Sequence, residues 1–192
     1  VLFRSEVSNV QNVNILGREG DRCEAYQPAI GLNPEEIGNI QRYLDAVRSN
    51  LLFAKSVLLV EGDAEEILVP ILIKNVLGVS LDELGISLIN IRSTGFQNVA
   101  VLFDDARIRK RCSIVTDLDK SIIDTTPAAG DSEGLLRRKG KYQASQEKGV
   151  ARKALLEDTF KDNGWVSPFF APHTFEVDFI AAGNARKVVG IL

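Results

Sequence analysis

Four carboxylates stand where two apolar runs stop. VLLV, residues 57–60, ends in Glu61, and Glu65 follows within the acidic turn GDAEE. SIVT, residues 113–116, ends in Asp117, with Asp119 two residues on in TDLD. In a parallel sheet, ligands gather where the strands end at their carboxyl edge. Acids converging there repel one another unless a cation compensates. Hard oxygen donors favour Mg²⁺ or Mn²⁺ over zinc, and the lone His173 with Cys23 and Cys112 fits no zinc pattern. The acids suffice for two ions about 4 Å apart, which would stabilise both the attacking and the leaving oxygen of a phosphoryl displacement. Asp63, Glu65 and Glu66 are also what any helix N-terminus prefers on dipole grounds, whereas Glu61, directly after a buried apolar strand, has no capping need to explain it. Asp63 and Glu66 are read as cap acids.

The elements that must position these residues follow from the pattern. Residues 1–30 read as one or two short strands broken by polar turns such as GREGDR. Asn33-Pro34 starts a helix with Glu35 and Glu36 in its first turn, expected to run to about Leu52 with Ile37, Ile40, Leu44, Val47 and Leu51 on one face. An alternation comes next: strand 56–60, helix 63–77 with Ile67, Leu68, Ile71 and Leu72 facing inward, strand 86–91, helix 96–107, strand 112–116. At this spacing it implies right-handed crossovers and a parallel sheet, an α/β fold. Residues 120–149 break the rhythm as loop or irregular helix, 150–163 is helical, 165–171 is another strand, and 173–182 is a turn leading into a helix. Trp165, Phe169 and Phe170 are read as core.

The quoted blocks resemble a known family. An apolar strand ending in Glu-Gly, a second acid four residues later and a later strand ending in DxD resemble the Toprim domain of topoisomerases, primases and related nucleases. YLDAVRSNLLFAKSVLLVEGDAEEILVP, LGISLINI, VTDLD and TFEVDFI, in that order, are more similar to the nuclease region of the OLD (overcoming lysogenization defect) family, over roughly residues 40–180. Those proteins join an ABC-type ATPase to a C-terminal Toprim nuclease.

The resemblance implies a Toprim-like Rossmannoid parallel sheet flanked by helices, with an added helical and basic insertion at about 120–163. Residues 1–52 would lead from the ATPase region, 53–182 would be the catalytic domain, and 183–192 would begin a further segment. The implied activity is metal-dependent endonucleolytic cleavage or nicking of DNA. Glu61, Glu65, Asp117 and Asp119 would hold Mg²⁺ or Mn²⁺, joined by Thr174 and Glu176 from the TFE block, with Asp178 as a substitute for Glu176. The family's lysine in a KGxFA-like block has no counterpart here, and Lys187 does not match it. With no methionine at all, the sequence is expected to be an excerpt, able to bind metal and catalytically incomplete. ATP would act only through the absent ATPase region of the full-length chain, and a homodimer is compatible with the reading.

Composition is that of an ordinary globular chain: 192 residues, 45% hydrophobic, 26% charged, net charge −3. No apolar run nears the ~20 residues of a membrane span, and two distant cysteines fit a reduced cytoplasmic setting. A net acidic chain does not advertise nucleic-acid binding, yet 137–153 carries seven basic residues against the single acid Glu147. Arg137, Arg138, Lys139, Lys141, Arg152 and Lys153 are therefore expected to dock the DNA backbone, largely without reading sequence. His173 is assigned a supporting rather than a proton-transferring role.

Two rival readings stand. VTDLDKSIID also resembles the first motif of haloacid-dehalogenase-type phosphatases, with Asp117 as nucleophile and Asp119 as acid/base. A non-catalytic metal-binding or dimerisation domain is the other.

Overall fold

The computed structural model describes residues 9–44, 51–92 and 95–190. The chain forms two compact units, Val1–Ile114 with Phe160–Ser167, and Val115–Thr159 with Pro168–Leu192.

The first unit opens with an antiparallel hairpin, β1 (Ile15–Glu19) and β2 (Arg22–Tyr26), turning where GREGDR predicts. Helix α1 (Pro34–Tyr43) starts as expected. Asn33 Oδ1 accepts the Glu35 and Glu36 N–H groups, and Glu36 reaches back to the Asn33 N–H at 2.8 Å, a closed capping box. It stops at Tyr43 rather than near Leu52, because Leu44 leaves helical geometry (ψ 74°). Leu51 and Leu52 are fully buried, while Val47 lies outside the described residues.

Strand β3 (Ser56–Val60) then runs parallel to β4 (Ile86–Asn90) on one side and to β5 (Arg111–Asp117) on the other. Strand β6 (Val166–Ala171) completes a four-stranded sheet of order β4-β3-β5-β6. Cys112 N–H donates to Trp165 O and Leu118 N–H to Ala171 O, so β6 also runs parallel to β5. The fold is the expected α/β class. Val57, Leu59, Val60, Ile89, Cys112, Ile114 and Val166 form the sheet's apolar share of the core among the described residues. Burial pushes the Cys112 thiol well above its ordinary range. Among the described residues no helix is long and apolar enough to cross a membrane.

Two helices of this unit depart from expectation. α2 (Asp63–Leu77) and the short α3 (Leu81–Leu84) link β3 to β4. In α2 Ile67 and Ile71 are 62% and 51% exposed, Leu68 and Leu72 are half-buried, and the one buried residue is Glu65. The segment ILVPILI is apolar all round, so its period defines no inward face. The helix expected over 96–107 shrinks to α4 (Gln97–Ala100). The Asp104 carboxylate accepts the N–H groups of Ala106 and Arg107, an Asx turn that competes with helix and folds Leu102, Phe103 and Ile108 into the core.

In the second unit, α5 (Glu133–Phe160) is one continuous helix of 28 residues, not the irregular stretch expected up to 149. The glycines and charges of 133–149 hide it in the sequence. α6 (Phe175–Phe179), a π-helical turn at Ile180–Asn184 and α7 (Ala185–Val189) follow β6. Of the residues read as core, Phe169 is 55% exposed, and Phe170 is half-buried beneath the Lys153 ammonium.

Candidate metal and nucleic-acid site

In the first unit, the two acids of the β3–α2 corner are set by local geometry. Glu61 leaves the end of β3 half-buried. Glu65, one helical turn on, folds back over the corner and is only 7% exposed. A Cβ on Gly62 would meet Glu65 Oε2 at 2.8 Å. The backbone there is extended (φ −131°), so this glycine serves to leave space rather than to permit an unusual conformation.

The cap acids are held separately. The Asn90 amide, buried at the end of β4, donates to Asp63 Oδ1 at 2.7 Å and to Glu66 Oε2 at 2.9 Å. Arg92 stands 3.6 Å from Asp63, and the Tyr43 hydroxyl donates to Asn90 O at 2.9 Å. Asn90 thus holds Asp63 and Glu66 together. Its signal in the sequence is a polar residue, Asn90, ending the apolar run Leu88-Ile89.

In the second unit, the DLD loop is braced from several sides. Asp119 adopts a left-handed conformation (φ 52°), which aspartate tolerates better than most residues. Leu118 N–H before it donates to Ala171 O at 2.8 Å, and Lys120 N–H after it donates to Pro172 O at 3.0 Å. Asp117 Oδ2 accepts the Phe175 N–H at 2.9 Å, tying the acid to the first turn of α6. One stripe of α5 lies along the same loop. Arg152 donates to Asp117 O at 2.6 Å and sits 3.6 Å from the Asp119 carboxylate. Gly149 meets the Leu118 backbone so closely that a Cβ would lie 2.4 Å from Leu118 O. Gln146 accepts the Ser121 N–H at 3.3 Å. The spacing 146, 149, 152 is one helix face.

The expected phosphate-docking residues divide accordingly. Arg137, Arg138 and Lys141 are exposed on α5. Lys139 corrects the expectation: it is buried, 2.8 Å from Asp131, and also donates to Thr126 O. The Lys139 ammonium, followed by the Ala128 N–H, holds the Asp131 carboxyl below its ordinary range. Arg152 belongs to the DLD loop. Lys153 is occupied by Glu157 at 3.7 Å and the Phe170 ring.

Thr174 is the N-cap residue of α6, and Glu176 is exposed in its first turn. Asp178 does not stand in for Glu176, because both its oxygens take the His173 backbone N–H and ring Nδ1. Among the described residues no group of three or more His, Cys, Asp or Glu is gathered to hold a metal. Glu61 and Glu65 lie in the first unit, and Asp117, Asp119, Thr174 and Glu176 lie in the second. By donor chemistry these parts suit a hard cation: each is all-oxygen, and the cradle at Gly62 admits a carboxylate that a side chain would displace.

Comparison with known proteins bears on the first unit and the start of the second. Residues 52–119 match the family model of the overcoming lysogenization defect protein-like TOPRIM domain. The match spans Glu61, Glu65, Asp117 and Asp119, and it is not the phosphatase family that VTDLDKSIID also resembles. A search of curated proteins returns no match. Among solved structures, the C-terminal region of the Xanthomonas campestris pv. campestris OLD protein is 22% identical, with a TM-score of 0.43, over 72% of this chain and 60% of that one. The C-terminal region of the Burkholderia pseudomallei OLD protein is likewise 22% identical at 0.43, over 71% and 63%. The chain thus spans under two thirds of the length of these structures.

Proposed function

We propose, from the premise that residues 52–119 are an OLD-like Toprim domain, that this chain is the nuclease portion of a DNA-cleaving protein dependent on Mg²⁺ or Mn²⁺. The observation that carries the reading is Glu65. A glutamate only 7% exposed, in the first turn of the helix that follows a parallel strand, is costly unless its carboxylate is paired or meets a metal. β3 and β5 are parallel neighbours, with Leu59 opposite Ile114, so both acid pairs follow strands that run the same way. In this proposal Glu61, Glu65, Asp117 and Asp119 hold one or two ions, with Thr174 and Glu176 as further oxygen donors.

Bound ions would supply Lewis-acid stabilisation of the oxygens at a phosphodiester under attack. The chain supplies the rest. Gly62 gives the Glu65 carboxylate its seat. Arg152 fixes the Asp117 carbonyl and stands by the Asp119 carboxylate, and Phe175 N–H orients the Asp117 side chain. The exposed Arg137, Arg138 and Lys141 bind backbone phosphates without reading bases. An ATPase region in the same full-length chain, assembly as a homodimer and a reduced cytoplasmic setting belong to the same proposal.

The test is plasmid nicking in Mg²⁺, Mn²⁺, Ca²⁺ or EDTA, comparing this chain and a C-terminally longer form that includes a KGxFA-like lysine block with their Glu61→Ala and Glu65→Gln variants. Cleavage that needs Mg²⁺ or Mn²⁺ and falls by about 10³-fold in either variant is expected. Cleavage indifferent to metal or to both variants would overturn the proposal, as would metal binding with no cleavage by either length of chain.

A further inference from the structure

A cavity of about 330 Å³ opens beside Asp119, wholly within the second unit. Tyr142 and Ser145 of α5 form one wall, Thr174 and Val177 of α6 another, and residues 119–122 the third. We infer that this cavity receives one unpaired nucleotide of the DNA next to the bond being cut, with its base against the Tyr142 ring. The inference rests on the nuclease reading and names the substrate form that reading leaves open.

Three observations point this way. The size is near the lower end of pockets for small ligands, about 300 Å³, which suits one nucleotide rather than a duplex. The walls pair apolar surface, from Ile122, Val177 and the Tyr142 ring, with hydroxyls at Ser121, Ser145 and Thr174. A base presents two flat apolar faces and a polar edge, and it stacks on aromatic rings whatever its sequence. Lys120 supplies a cation at the wall for an adjoining phosphate, while Asp119 repels phosphate unless a cation lies between them. That polarity orients the occupant, with the phosphate toward the proposed ion and the base inward.

The cavity is held open by the braces already described. Gln146, on the same face as Tyr142 and Ser145, fixes the Ser121 N–H, and the Lys120 N–H is fixed to Pro172 O. A base inside a duplex cannot enter this cavity without leaving its stack. Single-stranded, frayed or flipped nucleotides are therefore the accepted form.

The experiment uses the full chain with Ca²⁺, a short single-stranded oligonucleotide carrying 2-aminopurine, and the matching blunt duplex. The wild type, Tyr142→Ala and Tyr142→Phe are compared, with circular dichroism to confirm folding. Tyr142 is 43% exposed on its helix, so its loss leaves little cavity in the core. The expected result is preference for the single strand, a change in 2-aminopurine emission on binding, and affinity weakened roughly tenfold or more in Tyr142→Ala. Tyr142→Phe should retain both signals. Equal binding and emission in wild type and Tyr142→Ala, with Mg²⁺-dependent nicking intact, would overturn this inference alone. A wild type that neither binds nor cuts DNA would overturn the nuclease reading and this inference with it.

Discussion

The β3–α2 corner and the DLD loop each present two acids after a parallel strand, yet they are built in opposite ways. At the corner everything lies within five residues: strand end, Gly62 and a return by one helical turn to Glu65. At the DLD loop the acids are two residues apart, and their supports come from about 30 to 60 residues downstream: Gly149 and Arg152 on α5, Ala171 and Pro172 after β6, Phe175 on α6. The first arrangement is fixed by short-range sterics. The second holds Asp119 in a left-handed backbone that its surroundings must maintain.

The two glycines separate these designs most sharply. Gly149→Ala places a Cβ 2.4 Å from a backbone carbonyl that cannot rotate away. Either α5 or the DLD loop must shift, so the expected cost is about 1–3 kcal/mol of stability together with a 10–100-fold loss of cleavage. Gly62→Ala instead meets the tip of a flexible carboxylate at 2.8 Å. Glu65 swings aside at about 1 kcal/mol or less, while cleavage falls by a similar factor to that for Gly149→Ala. Thermal melts read beside plasmid nicking check the pair. A Gly62→Ala protein that melts as low as Gly149→Ala would break the distinction.

Arg152 sharpens the second design. Its guanidinium serves the Asp117 carbonyl and approaches the Asp119 carboxylate, a two-ended task that an ammonium performs poorly. Arg152→Gln should lose roughly 10–100-fold in cleavage, and Arg152→Lys should recover only part of that. Its effect on DNA affinity should be small. A large affinity loss with unchanged turnover of bound DNA would return Arg152 to the phosphate-docking set.

The same contrast explains what the sequence disclosed. Glu61, Gly62 and Glu65 were legible because strand, glycine and return turn are contiguous. The parallel α/β alternation was legible because each element is short and bounded by turn residues. The supports of Asp119 were not. Contacts across 30 residues leave no local period, and a lone glycine such as Gly149 does not by itself announce a packing site. The signal that would have found it is the triad Gln146, Gly149 and Arg152 at helical spacing. α2 failed for another reason: with apolar residues on every side, periodicity chooses no face, and Ile67 and Ile71 remain exposed.

Charge along α5 gives a smaller effect. Reversing Arg137, Arg138 and Lys141 should weaken DNA binding and lower the slope of log affinity against log salt by roughly one for each phosphate no longer neutralised. Fluorescence anisotropy at several salt concentrations measures it. Stability should hardly change, since exposed charges contribute little. An unchanged salt slope would remove the helix from the DNA-binding surface.

Lys139 lies among these residues but acts on the fold. Its ammonium and the Asp131 carboxylate are each only 11% exposed, and the pairing lowers the Asp131 pKa. A carboxyl with a lowered folded-state pKa adds stability above its unfolded value, about 3.9. That stability is lost as pH falls through the folded value. Asp131→Asn should therefore melt below wild type at pH 7, and the gap should close as pH falls below about 4. Lys139→Gln should behave likewise and leave the salt slope of DNA binding nearly intact. A gap that persists unchanged into acid would mean that the packing of the segment before α5, not the ion pair, holds the start of the helix in place.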